Sequence, residues 1–585
     1  MAWEFLKRRK LAVFGIIALQ LGQVLINLVL PSLIADVIDQ GILKDDRGFI
    51  WSRGGLMLVA SVFQVILTVG AIYLGSKTAT QFGRELRADV FRKVQSFSAT
   101  DQRTFGAPTL ITRATNDVNQ VMMVILLTFT VMVMAPIMGF GGAIMAIRQD
   151  AKLSLLLLVM VPVLALIVGL IMKALSPRYV VQQDRIDRIN TLLREQLTGV
   201  RVIRAFVRQG TEREKFDVAN KGLRQVWLEI GTLWALLFPA AMTIVGLSSV
   251  AVVWFGAKRI DGGFMEVGSL TAFISYLMMI LGAVMMSGMM AMLLPRGNVS
   301  AKRLKEIRDT EPSITAPENP AHLPAGPISF ELDNVGLQYP GAEEPVLADL
   351  DVTLRPGTTT AVIGSTGSGK SSVIKLFPRL IDATSGEVRA GGVPVTTVDP
   401  LELRARIALV PQTAFLFSGT IGSNVAGSAR SDAVYDEARV QRALDAAQAS
   451  EFVGKLDDGM KTQVEAGGKN FSGGQRQRLT IARALYRCIP DDDGRRESDL
   501  LIFDDSFSAL DFATDSRLRN SLRDYIGDVA VMIIAQRVST IRQADEILVL
   551  DDGRIVGRGT HSELMATCKT YQEIVSSQLS EEEAA

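Results

Sequence analysis

Six stretches of this chain are long, apolar and free of Asp, Glu, Lys, Arg and His: residues 11–35, 54–74, 121–147, 153–172, 231–257 and 269–294. A helix needs roughly 20 apolar residues to cross about 30 Å of hydrocarbon, and each stretch reaches that length. A short apolar run can be the buried helix of a soluble domain, but six at this length predict an all-α membrane domain of six spans. No Ala-x-Ala-like site follows the first run and five more come after it, so it reads as a span rather than a cleaved leader. The charge balance, 62 Lys+Arg against 61 Asp+Glu, gives no reason to expect a nucleic-acid partner. Two cysteines, Cys488 and Cys568, exclude a disulfide framework, and two histidines, His322 and His561, leave little for a histidine-built metal centre.

Basic residues at the span ends set an expected orientation. Lys7, Arg8, Arg9 and Lys10 place the N-terminus in the cytoplasm, so the chain returns there after six crossings of the cytoplasmic membrane. Segments 76–120 and 173–228 also fall inside and hold seven and twelve Lys/Arg. Residues 81–97 and 184–208 keep helical periodicity with few breakers, so the spans are expected to continue inward as rods that fold back as hairpins. Five prolines in 309–327 (Pro312, Pro317, Pro320, Pro324, Pro327) mark an extended linker. Beyond it, β-branched runs alternate with helical patterns, predicting an α/β domain. The expected division is 1–308 membrane domain, 309–327 linker, 328–579 α/β domain and 580–585 acidic tail.

The α/β part carries phosphate chemistry. A buried-strand pattern at 359–363 runs into Gly364-Ser365-Thr366-Gly367-Ser368-Gly369-Lys370-Ser371-Ser372 and then a helical pattern, which is the P-loop in the context it requires. Its backbone N–H groups are expected to cradle phosphates, with Lys370 reaching the β/γ-phosphates and Ser371 ligating Mg²⁺. A second buried strand, 500–503, ends at Asp504, placed to hold the Mg²⁺ shell. Between them lies Phe471-Ser472-Gly473-Gly474-Gln475 at a predicted helix start, a second anion cradle.

Together these motifs resemble the nucleotide-binding domain of an ATP-binding cassette (ABC) transporter. With six spans ahead of one cassette, the whole chain resembles an exporter-type half-transporter of the multidrug and lipid branch. The resemblance implies that Tyr339 stacks on adenine and Gln412 is the Q-loop residue near Mg²⁺. It implies that residues 471–475 are the signature and that Ser508-Ala509-Leu510-Asp511 is the D-loop. Residues 110–118 (LITRATNDV) resemble the first inner-hairpin motif, and Ala205, Phe206, Glu212 and Phe216 the second.

Three departures from the family carry information. Asp505 stands where an active cassette places the glutamate that polarises water; its arm is one methylene, about 1.5 Å, shorter, and a misplacement near 1 Å can cost roughly a hundredfold in rate. Gln536 stands at the position of the switch histidine, and an amide can donate one hydrogen bond but carries no proton charge. Ala466 replaces the glutamate before the signature, although Glu465 is adjacent. An insertion at 491–498 reads as a solvated surface loop. Because the signature is nearly intact while Asp505 and Gln536 are degenerate, the resemblance implies a heterodimer, in which a partner half-transporter with Glu and His at those places works opposite this chain's signature; a slow homodimer is the alternative.

The spans offer no ionisable group for an ion path, only amides and hydroxyls such as Gln20, Gln23, Asn27 and Gln64. Thirteen of 22 methionines fall in the third span (Met122, Met123, Met132, Met134, Met138, Met145) and the sixth (Met278, Met279, Met285, Met286, Met289, Met290, Met292). Flexible, polarizable thioethers suit a wall for lipophilic cargo, but the same residues serve equally for helix packing. The expected function is ATP-driven export of drugs or lipids; import on the same fold and a mainly regulatory ATP-binding role are the alternatives.

Overall fold

The computed structural model describes residues 2–427, 435–508 and 510–582. The chain forms two compact units, Met1–Ser96 with Phe105–Glu311, and Phe97–Thr104 with Pro312–Ala585.

The first unit is built on six long helices: α1 Lys10–Ile42, α2 Arg47–Gln95, α3 Ala107–Gln149, α4 Leu153–Thr198, α5 Gln209–Asp261 and α6 Val267–Asp309. Each contains one apolar stretch and is longer than it. At about 1.5 Å per residue, the 49 residues of α2 and 53 of α5 exceed twice the hydrocarbon thickness, so the rods expected from the charged periodic segments are present. The core between the helices is aromatic and aliphatic, with Tyr276, Phe273 and Leu277 fully buried. A buried phenol must find an acceptor: Tyr276 Oη donates to the Leu28 carbonyl at 2.8 Å.

The motif at 110–118 ties α3 to the far end of α6. Its centre, Arg113–Asp117, is a π-type turn. There Arg113 pairs with Glu306 at 2.8 Å and donates to the Arg303 carbonyl at 3.1 Å. Buried Asp117 accepts from Ser300 Oγ at 2.8 Å. The sequence identified this segment by resemblance but not its partners, which lie some 190 residues away.

The second unit has a four-stranded antiparallel sheet and a six-stranded sheet. The first is built on β1 Phe330–Leu337, β2 Leu347–Leu354, β4 Ser385–Ala390 and β5 Val393–Pro394. The second uses β3 Thr359–Gly364, β6 Ile407–Val410, β9 Leu500–Asp504, β10 Ala530–Ile534, β11 Glu546–Asp551 and β12 Arg554–Gly559. A short ribbon pairs β7 Gly419–Thr420 with β8 Gln463–Val464. Strands β9 and β10 read as unbroken apolar runs, as expected for parallel strands covered on both faces, and every residue from Leu500 to Phe503 is buried.

The proline-rich segment is extended, and it is not loose. Ser313 N and Ser98 N both donate to Asp101 Oδ2, at 3.0 and 2.9 Å. Further along, the Leu323 N–H donates to Glu402 at 2.8 Å, and Ala321 N–H to the Thr397 carbonyl at 2.9 Å. The insertion at 491–498 also differs from a solvated loop at its end. Glu497 pairs with Arg439 at 3.0 Å, and Ser498 is fully buried. The Arg439 guanidinium lies 4.4 Å over the Tyr486 ring, so the loop's last turn closes over a cation–aromatic stack.

Candidate nucleotide site

The order of the larger sheet, β12-β11-β3-β10-β9-β6, decides where the polar groups gather. It is parallel from β11 to β6, so β3, β10, β9 and β6 end side by side on one edge. Crevices at the carboxyl edge of such sheets are where ligands bind. Each of these ends leads into a group singled out from the sequence: the P-loop after β3, Gln536 after β10, Asp504 and Asp505 at β9, and Gln412 after β6.

The P-loop leaves β3 at Gly364, where a Cβ would lie 2.0 Å from the Leu550 carbonyl oxygen. It enters α7, Lys370–Leu376, through Gly369, whose φ of 98° is costly for any other residue. These two glycines fix the curl of the loop. Ser365, Thr366 and Gly367 face solvent, while Ser368 and Ser372 are buried. Lys370 Nζ donates to the Gly364 and Ser365 carbonyls at 2.9 and 2.6 Å. Burial lowers the pKa of this ammonium, against the charges of Asp505 and Asp504, which raise it. Tyr339, just past β1, reaches Ser372 Oγ through its hydroxyl at 3.1 Å, which sets the ring beside the loop.

Ser371 and Asp504, both expected near Mg²⁺, meet: Ser371 Oγ donates to Asp504 Oδ1 at 3.3 Å. Gln412, the third residue of that set, instead donates to Asp505 Oδ2 at 3.3 Å. Gln536 Nε2 donates to the same oxygen at 2.7 Å. Asp505 is therefore held between two amides. Its backbone is equally fixed, with φ of 47° and its N–H on the Ile534 carbonyl at 3.0 Å. Aspartate enters this left-handed region more readily than most residues. Burial raises the pKa of both carboxyls; at Asp504 the neighbouring Asp505 charge adds to the rise. No property of the sequence announced that the two amides would converge on one oxygen, because they come from strands 124 residues apart.

The signature opens α8, Gly473–Cys488. Phe471 is buried, whereas Ser472 and Gly473 are exposed and Gly474 and Gln475 partly so. Ser472 and Gln475 cap one another: Gln475 N donates to Ser472 Oγ at 3.3 Å, and Ser472 N to Gln475 Oε1 at 2.9 Å. Ala466 lies in the preceding turn, and the adjacent Glu465 is exposed. In the D-loop, Ser508 Oγ donates to the Asp505 carbonyl at 2.8 Å and Asp511 accepts from Thr514 N at 2.9 Å. That backbone bond holds the Asp511 carboxyl below its ordinary pKa. Ala509 lies outside the described residues.

In the membrane unit, an apolar cavity of about 660 Å³ opens among α3, α4 and α6. Small residues such as Gly139, Ala143, Gly169 and Gly288 line it, and Met172 is the one methionine lining it among the described residues. The described methionines of α3 and α6 do not line it: Met138 and Met290 are buried in packing, and Met123 and Met278 are exposed. The side chains of Met289 and Met292 lie outside the described residues.

With that geometry in hand, comparison with known proteins gives a consistent result. Residues 13–284 match the family "ABC transporter transmembrane region" and residues 347–506 the family "ABC transporter". An uncharacterized ABC transporter ATP-binding protein of Mycobacterium tuberculosis (strain CDC 1551 / Oshkosh) is 45% identical over 96% of this chain and 94% of its own length. A multidrug efflux ATP-binding/permease protein of Mycobacterium bovis (strain BCG / Pasteur 1173P2) is 32% identical over 98% of this chain, which spans 46% of that longer protein. The solved structure of a bacterial Atm1-family ABC exporter with ATP bound shares the fold, with a TM-score of 0.79, 22% identity and 98% of each chain covered. A six-helix membrane unit and a cassette whose sheet edge carries the P-loop and Asp504 thus occur together in one polypeptide, and the chain belongs to the ABC transporters as a half-transporter of exporter-type fold.

Proposed function

We propose that this chain is the degenerate-site half of a heterodimeric ABC exporter that moves lipophilic or amphiphilic compounds across the cytoplasmic membrane. The observation that carries this is the Asp505 clamp. The residue at the position of the water-polarising carboxylate is short, and its Oδ2 accepts from both Gln412 and Gln536. Neither amide can take up or relay a proton.

The edge fits ATP without being equipped to break it down quickly. The loop from Gly364 to Gly369 supplies N–H donors and Lys370 a cation for phosphates, and Tyr339 offers a ring to the base. Ser371 and Asp504, already 3.3 Å apart, with Gln412 nearby, are the groups that would hold Mg²⁺. When bound, the metal offsets charge on the phosphate oxygens. Residues 471–475 present an exposed, internally capped serine-glycine edge, suited to face a partner's nucleotide. A second exposed surface also favours pairing: at the turn after α4, Leu197, Phe206 and Val207 are 76%, 72% and 80% exposed, more apolar surface than a helical tip in water normally shows.

The basic N-terminus and inner segments favour a cytoplasmic cassette. The small-residue cavity among α3, α4 and α6, together with the multidrug relative, favours amphiphilic cargo. The domain limits proposed are 1–308, 309–327, 328–579 and an acidic tail at 580–585, of which 583–585 lie outside the described residues.

ATPase assays on reconstituted protein test the pairing. Expected are slow turnover by this chain alone, rapid turnover with a half-transporter carrying Glu and His, and loss of that turnover on replacing the partner's Glu by Gln. D505N in this chain should leave most of it. Brisk hydrolysis by this chain alone that disappears in D505N would overturn the assignment.

A further inference from the structure

The turn at Lys152, the start of α4 and the end of α5, all remote from the helical rods, border a groove that the transport reading does not use. It measures about 410 Å³, with Leu155, Leu156 and Phe255 along its apolar side and Lys152, Lys258 and Arg259 at its rim. Leu155 and Phe255 are 61% and 48% exposed.

The three cations are not equivalent. Arg259 Nε donates to Asp150 Oδ2 at 2.5 Å, and Asp150 Oδ1 accepts the Leu153 N–H at 2.7 Å. That pair neutralises the guanidinium and caps the start of α4. Lys152 and Lys258 have no carboxylate partner among the described residues. Lys258 Nζ sits 5.2 Å over the Trp254 ring, which keeps it at the mouth of the groove.

Basic residues are normally sparse on the outer side of a membrane protein, so two ammonium groups without a carboxylate partner among the described residues, one from the α3–α4 turn and one from the last turn of α5, converging on one apolar trough, call for a ligand. An anion at one end and hydrocarbon at the other is the chemistry that matches. We propose that this groove seats an outer-leaflet phospholipid of net negative charge, its phosphate against Lys152 and Lys258 and an acyl chain along Leu155 and Phe255. A zwitterionic lipid fits less well, because its ammonium would meet the same two cations. The assignment rests on the topology proposed above, in which these helix ends face away from the cytoplasm.

Trp254 provides the readout. The full chain, with its partner half-transporter, is reconstituted in phosphatidylcholine containing a minor fraction of brominated phosphatidylglycerol or, separately, brominated phosphatidylcholine. The Trp254 signal is the difference between parent and W254F. If each lysine contributes as a surface cation does toward anionic lipid, the phosphatidylglycerol preference should be about 30-fold in the parent and about 5-fold in K152Q or K258Q. It should vanish in K152Q/K258Q and persist in R53Q, which alters the first turns of α2. Both lysines are exposed, and an unchanged Tm shows that the variants fold. Equal quenching by the two lipids, an undiminished preference in the double variant, or no quenching by either because the partner covers the groove would overturn the proposal. The topology is tested separately with A257C, since Cys488 and Cys568 are buried. Labelling of A257C in intact cells by a membrane-impermeant maleimide supports the orientation whatever the lipid result, and labelling only in inverted vesicles refutes it.

Discussion

The two ends of the nucleotide edge have been kept to different standards. At the β3 end every group that shapes a phosphate cradle is in place: Gly364 pressed against the Leu550 carbonyl, Gly369 at φ 98°, and Lys370 turned into the loop. One and two strands away, the β10 and β9 ends carry an amide and a short carboxylate where the resemblance to the family places histidine and glutamate. Binding depends on backbone curvature and one cation, whereas hydrolysis depends on the reach of a single oxygen. On the proposed reading, one sheet edge loses the second property without disturbing the first.

The largest effect that sharpens this contrast should come from Lys370. Removing the cation that the loop positions for phosphates (K370A) should weaken ATP retention by this chain roughly 10- to 100-fold, the worth of a charge-assisted hydrogen bond or two. Photolabelling with an azido-ATP analogue, read on this chain separately from its partner, measures it. Retention unchanged in K370A would mean that the cradle is not where nucleotide is held.

A gain of function is the next test. D505E with Q536H restores the length of the carboxylate and an imidazole, and should raise single-turnover hydrolysis at this chain's own site by up to about 100-fold, the cost assigned to a misplacement near 1 Å. D505E alone should give much less, because Gln536 would still lack a titratable nitrogen. If the double variant remains as slow as the parent, the degeneracy lies elsewhere, with Ala466 the next position to examine.

What the sequence revealed and what it hid divide along a physical line. The six spans were legible because crossing a membrane demands a contiguous composition, and the P-loop because its curl demands glycines at fixed local spacing. Contacts between distant residues were not legible. Nothing in Gln412, Asp505 or Gln536 announced a shared oxygen; only the strand order brings three loops together. Ser300 and Glu306, which hold the inner-hairpin motif, lie in a helix whose local pattern is an ordinary charged face. The insertion at 491–498 misled for the same reason: its acidic and basic residues read as solvated, yet Glu497 finds Arg439 and Ser498 is buried. Methionine content left two readings open for a different reason, since composition counts residues without saying which way a helix turns them.

The smallest effect separates the two standards by stability instead of turnover. Burial raises the Asp505 carboxyl above its ordinary pKa. The folded chain therefore holds that proton more tightly than the unfolded chain does, and this contribution to stability is fully present below the ordinary carboxylate pKa and lost as pH rises through the raised one. At neutral pH the ionised side chain is a modest burden. D505N removes the charge, and its amide oxygen can still accept from Gln412 and Gln536. Its Tm should then exceed the parent's by about 1 °C at neutral pH, and the difference should close as pH falls toward about 4. The Lys370 charge offsets part of the burden, so the gain from D505N should be larger in a K370A background. A Tm that falls in D505N at neutral pH would show that the carboxylate is held there by net favourable contacts. Asp505 would then be a maintained catalytic group, and the two ends of the edge would no longer differ in kind.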